Sequence, residues 1–517
     1  MNFKQYYQVT KIIIPDNVNI QSTSFANKFS NMSKITNFYV KMPNDVTDMT
    51  NAYQNCYNLT TALCGEKVTN MSGAYANCAL RTAVCGNNVT NMSKAYWNCT
   101  NLTTAACGDK VTDMESAYLN CSNLTTAVCG NNVTYMSSAY DFCTNLTTAV
   151  CGENVITMRA TYRNCTNLTT AVCGENVTYM SSAYANCYNL TTAVCDNNVI
   201  DMSSTYYNCH NLTTAVCGEN VTNMSSTYEN CYNLTTAVCG NNVTDMSYTY
   251  QNCNNLTNAV CGENVFNMWM TYDGCTNLTT AVCGNNVVSM DSTYRNCYNL
   301  TTAVCGDKVT DMSRAYLNCS NLTTAVCGEN VTDMDYAYQN CISLRTAACG
   351  ESVKYMENTY QNCPNIQGNA YFYSNNVTNV RNCFGGRNTS NRLNIYAHNG
   401  STTLSKLKYT NALSLIGTTI AWTNDTANNR LYNTTYNLYI YPVASVRQSY
   451  LGNEYDENIT FVNNTSNYIE CEENIASVKS EYKSNYTELT IDSGSCFVMP
   501  IDVNVLNGVT IESAEVR

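Results

Sequence analysis

The sequence predicts a repeat solenoid with a parallel β-sheet on one face and a 22-residue period, followed by all-β C-terminal domains. Three observations predict it. Fifteen cysteines form one series: Cys56, Cys78, Cys99, then every 22 residues from Cys121 to Cys363. Fourteen form a second series, from Cys64 and Cys85 to Cys349, leaving Cys383, Cys471 and Cys496 outside both. Methionine and tyrosine each recur fifteen times on the same period, from Met49 to Met356 and from Tyr53 to Tyr360. One such unit cannot bury a face alone, so a chain this regular has to stack its turns.

The regular region spans 51–383. From Cys209 the unit reads C-H-N-L-T-T-A-V-C-G-E-N-V-T-N-M-S-S-T-Y-E-N. Its recurring apolar and sulfur positions are Cys209, Leu212, Ala215, Cys217, Val221, Met224 and Tyr228, and these are the expected core. Alternation at its centre predicts a short strand from Thr214 to Cys217, with Ala215 and Cys217 inward and Thr214 and Val216 outward. Gly218 ends that strand, and Glu219-Asn220 turn the chain. Met224 and Tyr228 lie four apart, so the following arc is either a helical turn or irregular. Asparagine precedes most first-series cysteines, which predicts Asn ladders between turns. Phe142 and Gly274 are the departures at that position.

The unit resembles the BspA-type leucine-rich repeat of bacterial, protist and phage surface proteins. That pattern has a Cys, a Leu three residues on, a short strand ending Ile-Pro, then Val, Ile and an aromatic. Here Cys and Leu match, the strand ends Cys-Gly, Met stands for Ile and Tyr for Phe. Near the start, Ile12-Ile13-Ile14-Pro15-Asp16-Asn17-Val18 keeps the Ile-Pro form and Val40-Lys41-Met42-Pro43-Asn44-Asp45-Val46 keeps Met-Pro. Residues 1–50 therefore look like degenerate repeats forming an N-terminal cap. The resemblance covers roughly 9–383. It implies a leucine-rich-repeat-like fold and a binding role, attachment to cells, matrix or other proteins. Joined to the Asn- and Tyr-rich composition, it points to a phage tail-fibre or receptor-binding virion protein, with a structural virion or cell-surface scaffold as the alternative.

Past Cys363 the pattern decays. Val377-Thr378-Asn379-Val380-Arg381-Asn382-Cys383 reads as a last echo, which Phe384-Gly385-Gly386-Arg387 breaks. A closing segment is expected there, because an open stack leaves its last apolar layer and edge bare. Residues 384–447 read as a β-rich capping unit, with strands around Leu393-Asn394-Ile395-Tyr396 and from Tyr436 to Val443. Residues 448–517 read as a small C-terminal β domain, with alternation at Thr487-Glu488-Leu489-Thr490-Ile491 and Cys496-Phe497-Val498-Met499-Pro500. Homo-oligomers through this domain are one expectation.

Composition excludes several functions. The formal net charge is −12, against a nucleic-acid groove. No apolar run reaches the length of a membrane span, so no membrane insertion is expected. The first residues lack the apolar segment of a secretion signal. With two His and a C-x7-C spacing, no metal or other cofactor is expected. No G-x-S-x-G, H-E-x-x-H or P-loop is present, and the chain reads as non-catalytic. Parallel neighbours stand about 4.8 Å apart, wide for the Cβ spacing of a disulfide, so the cysteines read as reduced core ladders.

Two surfaces are candidates for contact. The outward strand positions form a β-branched stripe, represented by Thr126, Val128, Thr148, Val150, Thr170, Val172, Thr192 and Val194. The alternative for this stripe is strand propensity alone. Variation among copies lies elsewhere and carries aromatics: Trp97 and Tyr207 two residues before the first-series Cys, Tyr188 and Tyr232 just after it. Such residues supply rigid contact area. Relaxed surface drift is the competing reading. The partners expected are a host surface protein or glycan, or other virion proteins, with the chain on a virion or bacterial cell surface. Asn-Leu-Thr, Asn-Val-Thr and Asn-Met-Ser triplets recur in nearly every unit and read as by-products of the repeat.

Overall fold

A computed structural model describes residues 8–13, 22–39, 43–446, 469–471 and 495–497. The chain divides into two units, residues 1–444 and 445–517. In the first unit the stack begins with β1 (Lys11–Ile13) and β2 (Asn37–Tyr39), which pair in parallel. Residues 14–18 and 40–42, which belong to the two Pro-containing stretches read above as part of a cap, lie outside the described residues.

Each turn buries the side chains the period picked out. Cys209, Leu212, Val221, Met224 and Tyr228 are fully buried, and Ala215 nearly so. Cys217 is half-buried and packs against this core from its edge. Its Sγ lies 3.6 Å from Met224 Sδ and 3.5 Å from the Gly218 carbonyl, at the rim of the interior.

The expected strand at Thr214–Cys217 does not form in the central turns, and the reason is a hydrogen bond. Val216 N–H donates to the Tyr228 hydroxyl at 2.9 Å, and that hydroxyl donates to the Val216 carbonyl at 2.6 Å. Both backbone groups of Val216 are thus used inside their own turn and cannot serve a ladder. The same pair of bonds recurs from Leu63 with Tyr75 to Ala348 with Tyr360. Turns are joined instead by single-residue parallel bridges. A continuous column of these precedes the Met positions, as at Asp201, Asn223 and Asp245, and a broken one follows the Thr column, as at Thr126, Thr148 and Thr170.

The Met–Tyr arc is not helical. Thr227 N–H donates to Met224 O, Glu229 N–H to Ser226 O, and Cys231 N–H to Tyr228 O, a run of i to i+3 turns. Ser226 and Asn230 adopt left-handed φ of 53° and 61°. Met224, Ser226, Tyr228 and Asn230 donate from alternate positions to carbonyls of the next turn. Asparagine suits the second left-handed site because its short polar side chain tolerates that conformation. There it also forms the expected ladder: Asn208 Nδ2 donates to Asn186 Oδ1 at 2.7 Å, and Asn230 to Asn208 at 2.8 Å.

The two gaps in that ladder are repaired in the same way. Beside Phe142, buried Asp141 receives Arg163 at 2.6 Å and Asn164 at 3.1 Å. Beside Gly274, buried Asp273 receives Arg295 at 2.6 Å and Asn296 at 3.1 Å. Phe142 itself holds φ at 60° with an exposed ring, a poor conformation for a bulky residue. Phe142→Asn is expected to raise stability by about 1 kcal/mol, read as a later urea midpoint at unchanged slope. An unchanged or earlier midpoint would contradict this.

The first-series thiols are hydrogen-bonded as well as buried. Cys209 Sγ donates to the Tyr184 carbonyl at 3.2 Å, and the contact recurs from Cys56 to Cys363. The thirty cysteines from Cys56 to Cys383 are free thiols. Burial raises the Cys209 thiol well above its ordinary range and pushes second-series thiols such as Cys107 to about 11 and Cys239 to about 12. Thiolates are therefore scarce near neutrality, and iodoacetamide is expected to label the native chain slowly, second series first. In denaturant the described thiols should all label, as counted by intact mass; a large blocked fraction would refute the reduced ladders.

The tyrosines stack face to face from Tyr53 to Tyr360, with centroids 5.2–5.7 Å apart. Phe29 stacks on Tyr53 at 5.3 Å and Phe384 on Tyr360 at 5.4 Å. Phe384 thus corrects the expected break: it is the last ring of the column. Three residues beyond it stands Arg387, where each turn from Tyr53 to Tyr360 has a cysteine. The closing sheet comprises β3 (Ala348–Cys349), β4 (Gly368–Phe372), β5 (Leu393–His398), β6 (Thr423–Asp425), β7 (Arg430–Asn433) and β8 (Leu438–Val443). Its order is β3-β4-β5-β8-β7-β6, parallel through β8 and antiparallel after it. A short helix, α1 (Thr402–Leu407), capped by Ser401, lies within this all-β expectation. In the second unit β9 (Ile469–Cys471) pairs antiparallel with β10 (Ser495–Phe497). The alternation at 487–491 lies outside the described residues.

Candidate functional site

The stripe picked out by alternation is present as two unlike columns. Thr126, Thr148, Thr170 and Thr192 are exposed. Val128, Val150, Val172 and Val194 are half-buried, with backbones held by Tyr140, Tyr162, Tyr184 and Tyr206. The stripe is regular and chemically plain.

The aromatic candidates separate. Tyr188 and Tyr232 come together through His210, in a three-ring stack with centroids 4.9 and 4.8 Å apart. Tyr207 stands in another column, and Trp97 lies five turns away from it along that column. A second aromatic group escaped the sequence reading. Tyr248 and Trp269 meet edge to face at 4.9 Å, and Phe266 and Val288 are exposed in the same few turns. The signal was available: Phe266 and Val288 stand where most copies have Thr, Trp269 where most have Ser.

A shallow trough also went unread. Two cavities of about 620 and 830 Å³ share Asn176 and Thr178 and continue each other from Lys110 to Asn264. Each turn contributes one residue before its buried Val, usually Asn, and one after it, Thr or Ile. On one wall Asn132, Asn154, Asn176, Asn198, Asn242 and Asn264 donate Nδ2 to a preceding-turn carbonyl at 2.7–2.9 Å. On the other, the Thr134, Thr222 and Thr244 hydroxyls donate to the carbonyl one turn back. Lys110 is the one cation in the lining. The Asn-Val-Thr triplets are this trough, seen in one dimension.

A family model for the BspA type leucine-rich repeat region matches 1–103, 49–161, 158–257 and 246–367, in six copies. The chain belongs to this family. No curated protein matches the chain by sequence. Among solved structures, this BspA-type chain is similar to a leucine-rich repeat protein from Bacteroides ovatus, at 16% identity and TM-score 0.48, covering 68% of this chain and 84% of that one. It is also similar to a leucine-rich cell surface protein from Faecalibacterium prausnitzii, at 17% identity and TM-score 0.35, covering 56% and 83%. The pneumococcal vaccine antigen PcpA matches at 9% identity and TM-score 0.36, covering 67% and 80%.

Among the described residues of this BspA-type repeat protein, no group of three His, Cys, Asp or Glu could hold a metal ion. No helix there is long and apolar enough to cross a membrane. One acidic group is perturbed. Asp335 is pushed up to about 6, chiefly by burial, with Asp333 and Glu357 adding to the rise and Arg314 and the Glu357 N–H opposing it. Its carboxyl prefers the neutral form in the fold, so its stabilising contribution is present in acid and lost as pH rises through about 6. Asp335→Asn is expected to be more stable than the parent near neutrality and to lose part of the parent's gain on acidification. Urea midpoints at about pH 8 and about pH 4.5 decide; identical pH profiles for parent and variant would refute it.

Proposed function

We propose that the chain is a non-catalytic recognition and adhesion rod for a bacterial surface. In its finer form, the proposal is a phage tail-fibre or receptor-binding virion protein contacting a bacterial host. The observation that carries the reading is the contrast between core and surface. Turn after turn keeps the same buried Cys, Leu, Val, Met and Tyr, while the surface columns exchange Thr, Ser, Tyr, His, Trp and Arg. A rigid stack with a variable edge suits contact with a partner and offers no catalytic constellation. Membership of the BspA-type family supports the binding role, and the low-charge, Asn- and Tyr-rich composition supports the virion form. The partner is a host surface protein or glycan, or another virion protein.

Fluorescently labelled full chain is expected to bind intact bacterial cells saturably. Replacing Tyr188, His210 and Tyr232 together by alanine is expected to weaken that binding roughly tenfold. A wild-type chain that binds no cell, yet incorporates stably into a larger particle, would overturn recognition in favour of a structural scaffold.

A further inference from the structure

The trough differs from the Thr–Val stripe in shape and chemistry. It runs over eight turns, and the six from Asn132 to Thr244 each offer the same set: an Asn amide beside a Thr hydroxyl or an Ile side chain. The amides spend one N–H on the preceding turn and keep a second N–H and Oδ1 for a ligand. The Thr134, Thr222 and Thr244 hydroxyl protons are already committed to backbone carbonyls, leaving Oγ1 as an acceptor. Such a lining suits a ligand made of groups that both donate and accept, and it gives an anion little to hold.

Periodicity narrows the ligand further. Successive turns carry their rings 5.2–5.7 Å apart. An extended polypeptide advances about 3.3 Å per residue and falls out of step with that spacing. A nucleic acid needs cations along its path, whereas the chain has a net charge of −12 and the trough one lysine. A β-1,4-linked glycan advances by about one turn per sugar, and its equatorial hydroxyls or N-acetyl groups both donate and accept. Its apolar C–H faces match the Thr methyls and the exposed Ile156 and Ile200. Phe266, 52% exposed, stands in the Thr column just past the last lining Asn, where its ring can meet a terminal sugar.

We propose that this trough binds a linear, uncharged β-1,4-linked polysaccharide, one sugar to a turn. The proposal rests on the recognition reading and specifies its ligand class.

The test uses the full chain and two uncharged series, cello-oligosaccharides and β-1,4-linked N-acetylglucosamine oligomers, from disaccharide to octasaccharide, followed by calorimetry. Affinity for at least one series is expected to rise with each added sugar up to about the octamer. Thr178→Trp, which fills the trough at a column position that tolerates Phe266, is expected to weaken binding roughly tenfold or more. Its urea midpoint should match the parent's, which separates blocking from misfolding. Heparin, an anionic control, is expected not to bind. Failure of both series, affinity that ignores length, or undiminished binding by folded Thr178→Trp would overturn the proposal. Adhesion to cells without oligosaccharide binding would overturn the trough assignment and leave the recognition reading standing; loss of both would overturn both.

Discussion

Replacing Tyr228 by phenylalanine is expected to cost about 2–4 kcal/mol, although the ring would keep its place in the stack. The ring is fully buried between Tyr206 and Tyr250, with centroids 5.5 and 5.6 Å away, and phenylalanine preserves those contacts. The hydroxyl has no substitute. It accepts from Val216 N–H and donates to Val216 O, so its removal strands two backbone groups at once. An unsatisfied buried polar group costs about 1–3 kcal/mol, and the half-burial of Val216 keeps the pair below twice the upper figure. Thr222→Val serves as control: it deletes one exposed hydroxyl bond to the Ile200 carbonyl and is expected to stay within about 0.5 kcal/mol. Each turn touches only its neighbours, so a defect this deep is also expected to broaden or split the unfolding transition. Urea titration followed by near-ultraviolet circular dichroism checks both. Faster exchange of the Val216 amide would locate the damage, and a Tyr228→Phe midpoint equal to that of Thr222→Val would refute the account.

The same hydroxyl shows where sequence reading stops. The period makes the inward residues legible, because burial is a property of side chains and Cys209, Leu212, Val221, Met224 and Tyr228 repeat. Alternation at Thr214–Cys217 reports which way side chains point and says nothing of where backbone groups bond. The partner lies twelve residues downstream on a side chain already counted as core. The Asn ladder was legible for a similar reason, and its repairs were not. Asp141 with Arg163, and Asp273 with Arg295, look like surface charges until the left-handed turn brings each acid under the next copy's arginine. Phe384 read as a break because its spacing from Tyr360 departs from the period, yet the longer last turn still lands its ring on the column. The trough was visible only as recurring Asn-Val-Thr, since its walls are residues one position either side of a buried valine and need the stack to become a surface.

Loss of Arg387 is expected to be the most damaging single change at the closing end, about 3–5 kcal/mol for Arg387→Ala. It is 7% exposed in the position that holds a cysteine in each turn from Tyr53 to Tyr360. Its guanidinium donates to the Tyr436 and Asn391 carbonyls, just before β8 and just before β5, whose first paired residues are Leu438 and Leu393. Burial lowers the guanidinium to about 10, so it stays cationic near neutrality. Alanine would leave both carbonyls without their donor and open a cavity beneath the sheet that covers the last apolar layer. Methionine fills most of that volume and removes a buried charge, so Arg387→Met is expected to lose less, about 1–3 kcal/mol. The spatial pattern is the sharper test. Because coupling passes only between neighbouring turns, amide exchange should accelerate at Ile395 and Ile440 in the cap while Tyr228 keeps its protection. Uniform acceleration along the whole stack would mean that Arg387 supports global stability. No acceleration at Ile395 would mean that the cap is held by its apolar face alone.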